Sequence, residues 1–109
     1  MESNTRNTIE SKIERYLYDR IKAIGGECIK INSATTRGMP DRIILRQGTI
    51  IFVETKATKG KTRLYQRYIH KRIKKQGFPV LIIKTKKEVD WLCEKLLSQA
   101  TSFKLCNLQ

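Results

Sequence analysis

Three side chains suit chemistry on a phosphate: Asp41, directly after Pro40, and Glu54 and Lys56 in the run Glu54-Thr55-Lys56. Side chains alternate along a strand, so Glu54 and Lys56 share a face. Mg²⁺ is commonly held by one or two carboxylates together with waters and substrate phosphate. Such an ion can activate a water, neutralise charge at phosphorus and assist the leaving oxygen, which are the needs of phosphodiester hydrolysis. Lys56 is then placed to orient or help deprotonate the attacking water, or to neutralise the transition state. The Thr55 main-chain carbonyl can add a ligand.

These residues need a scaffold that brings them together. Asp41–Arg46 and Ile50–Lys56 read as two strands joined by the tight turn Gln47-Gly48, an antiparallel hairpin. Pairing about that turn sets position 41 opposite roughly 54–56. Ile50 and Phe52 share the face of Glu54 and Lys56, so the charges continue an apolar stripe toward the core, where they require partners or a metal. The plainer alternative makes Asp41 a strand start and Glu54–Lys56 a solvent-facing pair on an edge strand.

The remaining elements follow from periodicity. Ile9, Ile13, Leu17, Ile21 and Ile24 make one apolar stripe, predicting a helix from about Thr8 to Ile24, capped by Asn7 and stopped by Gly25-Gly26. Glu27–Ile31 reads as a strand and Asn32–Met39 as a polar loop. A second helix is expected from Arg63 to Gln76, with Thr62 as cap, Gly77 as stop, and Leu64, Tyr68, Ile69 and Ile73 buried. Pro79–Ile83 is wholly apolar and reads as a central strand covered on both faces. Thr85-Lys86-Lys87-Glu88 is a capping box. It opens a last helix carrying Val89, Leu92, Cys93, Leu96 and Leu97. The expectation is one α/β domain over residues 8–100, in the order α-β-β-β-α-β-α, with helices on a mixed sheet of about four strands. Residues 1–7 are expected to be a flexible N-terminus and 101–109 a tail.

The chain carries a formal charge of +13, unevenly spread. Residues 55–87 hold twelve Lys or Arg and no Asp or Glu, whereas the first 54 hold nine basic and seven acidic groups. Like charges repel and oppose compaction, which a polyanionic partner offsets. Nucleic acid fits that partner. An anionic membrane fits poorly, because a long apolar face bearing Trp or Phe is missing. Lys59, Lys61, Arg63 and Arg67 are placed to grip phosphates, with salt dependence but no base preference. Cys28, Cys93 and Cys106 are odd in number and far apart, which argues against a zinc knuckle or disulfide framework and suits a reducing cytoplasm. A single histidine, His70, argues against histidine-rich metal sites. No secretory signal and no membrane span are expected.

A helix glutamate (Glu10), Gly38-Met39-Pro40-Asp41-Arg42, Phe52-Val53-Glu54-Thr55-Lys56, the basic loop that follows and Gln66 together resemble the virus-type replication-repair nuclease (VRR-NUC) domain. That domain is a branch of the PD-(D/E)xK phosphodiesterase superfamily, and the resemblance spans residues from about 8 to 97. It implies a restriction-endonuclease-like core and metal-dependent cleavage of structured DNA, with Mg²⁺ or Mn²⁺ and no small-molecule cofactor. Small stand-alone members, often viral, imply a homodimer acting on branched DNA, such as four-way junctions or flaps, in a bacterial or phage-infected cytoplasm. By the same resemblance Asp41 and Glu54 are metal ligands and Lys56 the catalytic lysine. Glu10 completes the site through metal or water, and Gln66 positions substrate or lysine.

Other readings compete for several of these residues. Asn7-x-x-Glu10 also fits a helix cap, and Glu14, one turn on, can replace Glu10. Gln66 alone would be an ordinary helix-surface residue. His70 and Lys71 read as phosphate contacts, and Tyr65 and Tyr68 as core packing. Arg37 sits in the loop before Pro40, where Gly38 either allows close approach of DNA or makes an ordinary turn. Val89, Trp91, Leu92 and Leu96 either cover the sheet or supply a dimer interface. For the whole chain, the alternatives are a non-catalytic basic nucleic-acid-binding protein, or another PD-(D/E)xK nuclease such as a restriction-like enzyme.

Overall fold

The computed structural model describes the backbone of residues 5–107 and the side chains of residues 9–98. The elements are α1 (Thr5–Ala23), β1 (Glu27–Lys30), β2 (Arg42–Arg46), β3 (Thr49–Thr55), α2 (Leu64–Lys75), β4 (Val80–Ile83) and α3 (Lys86–Asn107), in the expected order. They build one four-stranded sheet, β1-β2-β3-β4. The first three strands are antiparallel and β4 runs parallel to β3.

The hairpin register follows from its turn. Gln47 (φ 47) and Gly48 (φ 86) both lie in the left-handed region, as a primed two-residue turn demands. The turn pairs Arg46 with Thr49, and the ladder then runs to Arg42 opposite Val53. One step further, Asp41 falls beside Glu54.

The core lies on one face of the sheet. Ile13, Leu17 and Ile21 recur every four residues along α1, so they form a single ridge. The ridge packs with Val89, Leu92, Cys93 and Leu96 of α3 over Cys28, Ile44, Ile51, Val53 and Ile83. Covering the sheet is thus the role of Val89, Leu92 and Leu96, whereas Trp91 remains half exposed. Cys28 and Cys93 are free and buried. The Cys106 side chain lies outside the described residues.

Several expectations change. The core-facing stripe of β3 is Ile51 and Val53, not Ile50 and Phe52. Ile50 to Val53 are all apolar, so periodicity did not distinguish the faces. Phe52 instead meets Phe78 edge-on, ring centroids 6.3 Å apart, on the side covered by α2. β4 is the edge strand, not a central one. Its run is apolar because Ile83 meets the α1–α3 core while Val80 and Ile82 face α2.

Asn7 lies inside α1, which already begins at Thr5, and so is not its cap. The polar residues there cost only tenths of a kcal/mol each in helix propensity. Arg63, not Thr62, caps α2. Leu64 and Tyr68 are 76% and 62% exposed, and the buried residues of α2 are Ile69 and His70. The capping box of α3 is formed: Glu88 N–H donates to Thr85 Oγ1 (3.1 Å), and Thr85 N–H to Glu88 Oε1 (3.2 Å). The α3 backbone continues through Asn107, past the tail expected from 101. Among the described residues no helix is long and apolar enough to cross a membrane.

Candidate active site

The end of β3 gathers the residues singled out by the sequence. Asp41 Oδ2 accepts hydrogen bonds from the Thr55 N–H (2.9 Å) and the Thr55 hydroxyl (3.0 Å). These bonds pin the carboxylate at the strand end. Thr55 was expected to contribute only its carbonyl, so this anchoring was missed. The signal was present, because a hairpin through Gln47-Gly48 sets 41 against 54 and 55.

Glu54 is buried, only 3% exposed, on the α2 side of the sheet. Its Oε2 lies 3.3 Å from Lys56 Nζ and accepts from Gln66 Nε2 at 2.9 Å. Its Oε1 is buried without any hydrogen-bond partner. Burial pushes the Glu54 carboxyl up to about 7, and the neighbouring Asp41 charge adds to this, against the pull of Lys56 and Gln66. An acceptor-only carboxylate oxygen left bare in the interior is costly, and a cation removes that cost. The donor set therefore suits a hard divalent ion, which takes oxygen ligands.

Gln66 ties the site to α2. Its Oε1 accepts from Lys56 Nζ (3.1 Å) and from the Arg63 N–H (2.9 Å), satisfying one of the free amides at the helix start. One amide group therefore holds the lysine, the glutamate and the helix end. The Lys56 side chain is largely enclosed.

Glu10 reaches the same strand end from α1, where its Oε2 accepts from the Ala57 N–H at 3.3 Å. Glu14 points elsewhere: it pairs with Arg42 (2.8 Å), and Lys30 lies 3.9 Å away. Among the described residues, no three His, Cys, Asp or Glu side chains converge as a ready-made cage. An ion here would rely on two carboxylates, main-chain carbonyl, water and substrate oxygens, the manner typical of Mg²⁺.

The basic residues divide into two groups. Arg37, Lys59, Lys61, Arg63, Arg67 and Lys71 are exposed. Arg37 stacks on the Tyr65 ring at 4.1 Å, which fastens the loop before Pro40 to α2. Gly38 (φ 98) completes that docking, because a Cβ there would lie 2.7 Å from the Tyr65 carbonyl oxygen. The close approach seen here is to α2. His70 is only 5% exposed. Burial, with Lys74 and Lys56 nearby, lowers its pKa and keeps the ring neutral near pH 7.

No protein-family profile matches the sequence. A curated protein does: "Putative nuclease p44" of Acyrthosiphon pisum secondary endosymbiont phage 1 is 40% identical over 75 residues, covering 68% of this chain and 81% of that one. A solved structure described as a VRR_NUC domain is 33% identical and superposes with a TM-score of 0.72, covering 78% of this chain and 94% of the other.

Proposed function

The chain belongs to the VRR_NUC nuclease family, and from that premise we propose that it is a divalent-metal-dependent endonuclease of branched DNA, four-way junctions or flaps. The observation that carries this reading is the bare Oε1 of buried Glu54, beside Asp41 and at the end of a hydrogen-bonded lysine network.

Asp41, Glu54 and the Thr55 carbonyl would hold Mg²⁺ or Mn²⁺, with Glu10 completing the site through the ion or a water. When bound, the ion supplies charge neutralisation at phosphorus and acidifies water at neutral pH. Lys56, held by Gln66 and Glu54, orients the attacking water and counters the charge growing on the phosphate oxygens. Gln66 is a positioning residue that keeps the ammonium from wandering along its flexible stem. Thr55 holds the Asp41 carboxylate in place in the same way.

Arg37, Lys59, Lys61, Arg63, Arg67 and Lys71 bind backbone phosphates, which position a duplex without reading its sequence. Selection then falls on DNA shape. A homodimer fits a four-way junction, because a two-fold assembly offers two sites to two equivalent strands. The half-exposed Trp91 and Leu97 on α3 supply apolar area for such an interface.

Labelled four-way junction, flap, splayed-arm and plain duplex DNA, each incubated with Mg²⁺, Mn²⁺ or EDTA, test this reading. Cutting of branched substrates is expected in both metal arms, none in EDTA, and cutting slowed about 10²–10³-fold with Lys56→Ala. DNA binding without any cutting would make the chain a binding module. Preferential cutting of a short palindromic duplex would oppose the branched-DNA assignment.

A further inference from the structure

We propose that the cleft between α2 and the free edge of β4 is a phosphate subsite, holding the DNA phosphodiester that neighbours the one at Asp41 and Glu54. The assignment rests on the nuclease reading for its ligand, but its geometry is independent of the metal.

The cleft has a volume of about 370 Å³. Arg67, Lys71 and Lys74 line one wall. Their spacing of four and three residues makes them one ridge along α2. Thr62 adds a hydroxyl, and no carboxylate lines the cleft. Three cations and no acid exclude a metal ion and call for an anion.

His70 also lines the cleft. Its Nε2 is buried and has no hydrogen-bond partner. A neutral imidazole carrying its proton on Nε2 donates one hydrogen bond. A phosphate oxygen in the cleft accepts it and removes the cost of the orphaned atom.

The other wall is the sheet edge. The carbonyls of Pro79 and Ile83 accept from Phe52 and Lys56 of β3. By strand alternation the N–H groups of Val80 and Ile82 point the opposite way, to the free edge. Both residues line the cleft. They are two further donors for phosphate oxygens.

The cleft adjoins the candidate active site. Ile82 pairs in register with Glu54, and paired strands lie about 4.8 Å apart. His70 is one helical turn from Gln66, which holds Glu54 and Lys56. A strand crossing the end of β3 therefore meets the α2–β4 cleft next.

His70 is the chain's single histidine, so its ring gives one unambiguous NMR signal. The test titrates the full chain, in EDTA, with the dinucleoside phosphate TpT, with inorganic phosphate and with thymidine. TpT and phosphate are expected to move the His70 ring signal and the Val80 and Ile82 amide signals, while thymidine leaves them still. Arg67→Ala and Lys74→Ala should each weaken TpT binding about three- to tenfold. Lys74→Ala should also flatten the logarithmic salt dependence for a longer single strand by about 0.7. A stationary His70 signal at TpT saturation, or unchanged binding by Lys74→Ala, overturns the subsite. Phosphate binding without TpT binding overturns the strand assignment. No metal is present in these titrations, so a failure here leaves metal-dependent cleavage untouched, and loss of that cleavage leaves this binding untouched.

Discussion

The two faces of the sheet are built on opposite principles. Under α1 and α3, the ridge Ile13–Leu17–Ile21 and the α3 residues Val89, Leu92 and Leu96 bury apolar surface against Ile44, Ile51 and Val53. Under α2, the buried set includes Glu54 and His70, each with an orphaned polar atom, while Leu64 and Tyr68 of the same helix face solvent. The first face stores stability and the second gives some up to bury polar groups that lack partners. A domain this small carries both because the strands serve both faces at once, odd-numbered residues of β3 inward and Glu54 outward.

The sharpest break in that contrast comes from Lys56→Ala. Removing a positioned ammonium should lower the cleavage rate about 10²–10³-fold, as loss of a single charge-stabilising group does elsewhere. The Tm of the metal-free protein should move little. Single-turnover kinetics with thermal melts on the same sample check both. A large fall in Tm would mean that the lysine also supports the fold. The converse change is Leu17→Ala on the other face. Leu17 is fully buried, and its truncation should cost about 2–5 kcal/mol in denaturant unfolding. Activity per folded molecule should remain.

Glu54→Gln sharpens the contrast through pH. Its carboxyl is raised from 4.5 to about 7 in the folded chain, so the folded state binds more protons between those values. Stability of the metal-free wild type should therefore fall as pH rises from about 4.5 through 7, by up to about 3 kcal/mol. Glu54→Gln should lose this dependence and be the more stable protein at pH 8 in EDTA, while losing cleavage. Equal pH profiles would mean that the carboxylate is not desolvated. The smallest effect is expected far from both faces. Gln47 occupies a left-handed position (φ 47) that Asn tolerates better. Gln47→Asn should stabilise by about 0.5–1 kcal/mol in chemical denaturation, with the same hairpin register.

The same contrast explains what was legible in the sequence. The β2–β3 hairpin and its register could be read, because a two-residue turn fixes pairing locally. The α3 cap and the α1 ridge could be read for similar local reasons. The α2 face could not. Hydrophobic periodicity assigned Leu64 and Tyr68 to the interior, whereas the inner side is Gln66, Ile69 and His70. Gln66 turns inward because Glu54 and Lys56 are its partners, and no apolar pattern records that. Likewise β4 looked central because it is covered on both faces, although it has a neighbour on one side only. Glu10 and Glu14 lie one turn apart and differ by their tertiary partners, Ala57 for one and Arg42 for the other.

The account turns on whether Asp41 and Glu54 share one divalent ion. Mn²⁺ titration of the wild type, followed by isothermal calorimetry without DNA, tests this directly. One site per chain is expected, lost in Asp41→Asn and in Glu54→Gln but retained in Lys56→Ala. Mn²⁺ binding of undiminished affinity in either carboxylate variant would contradict it.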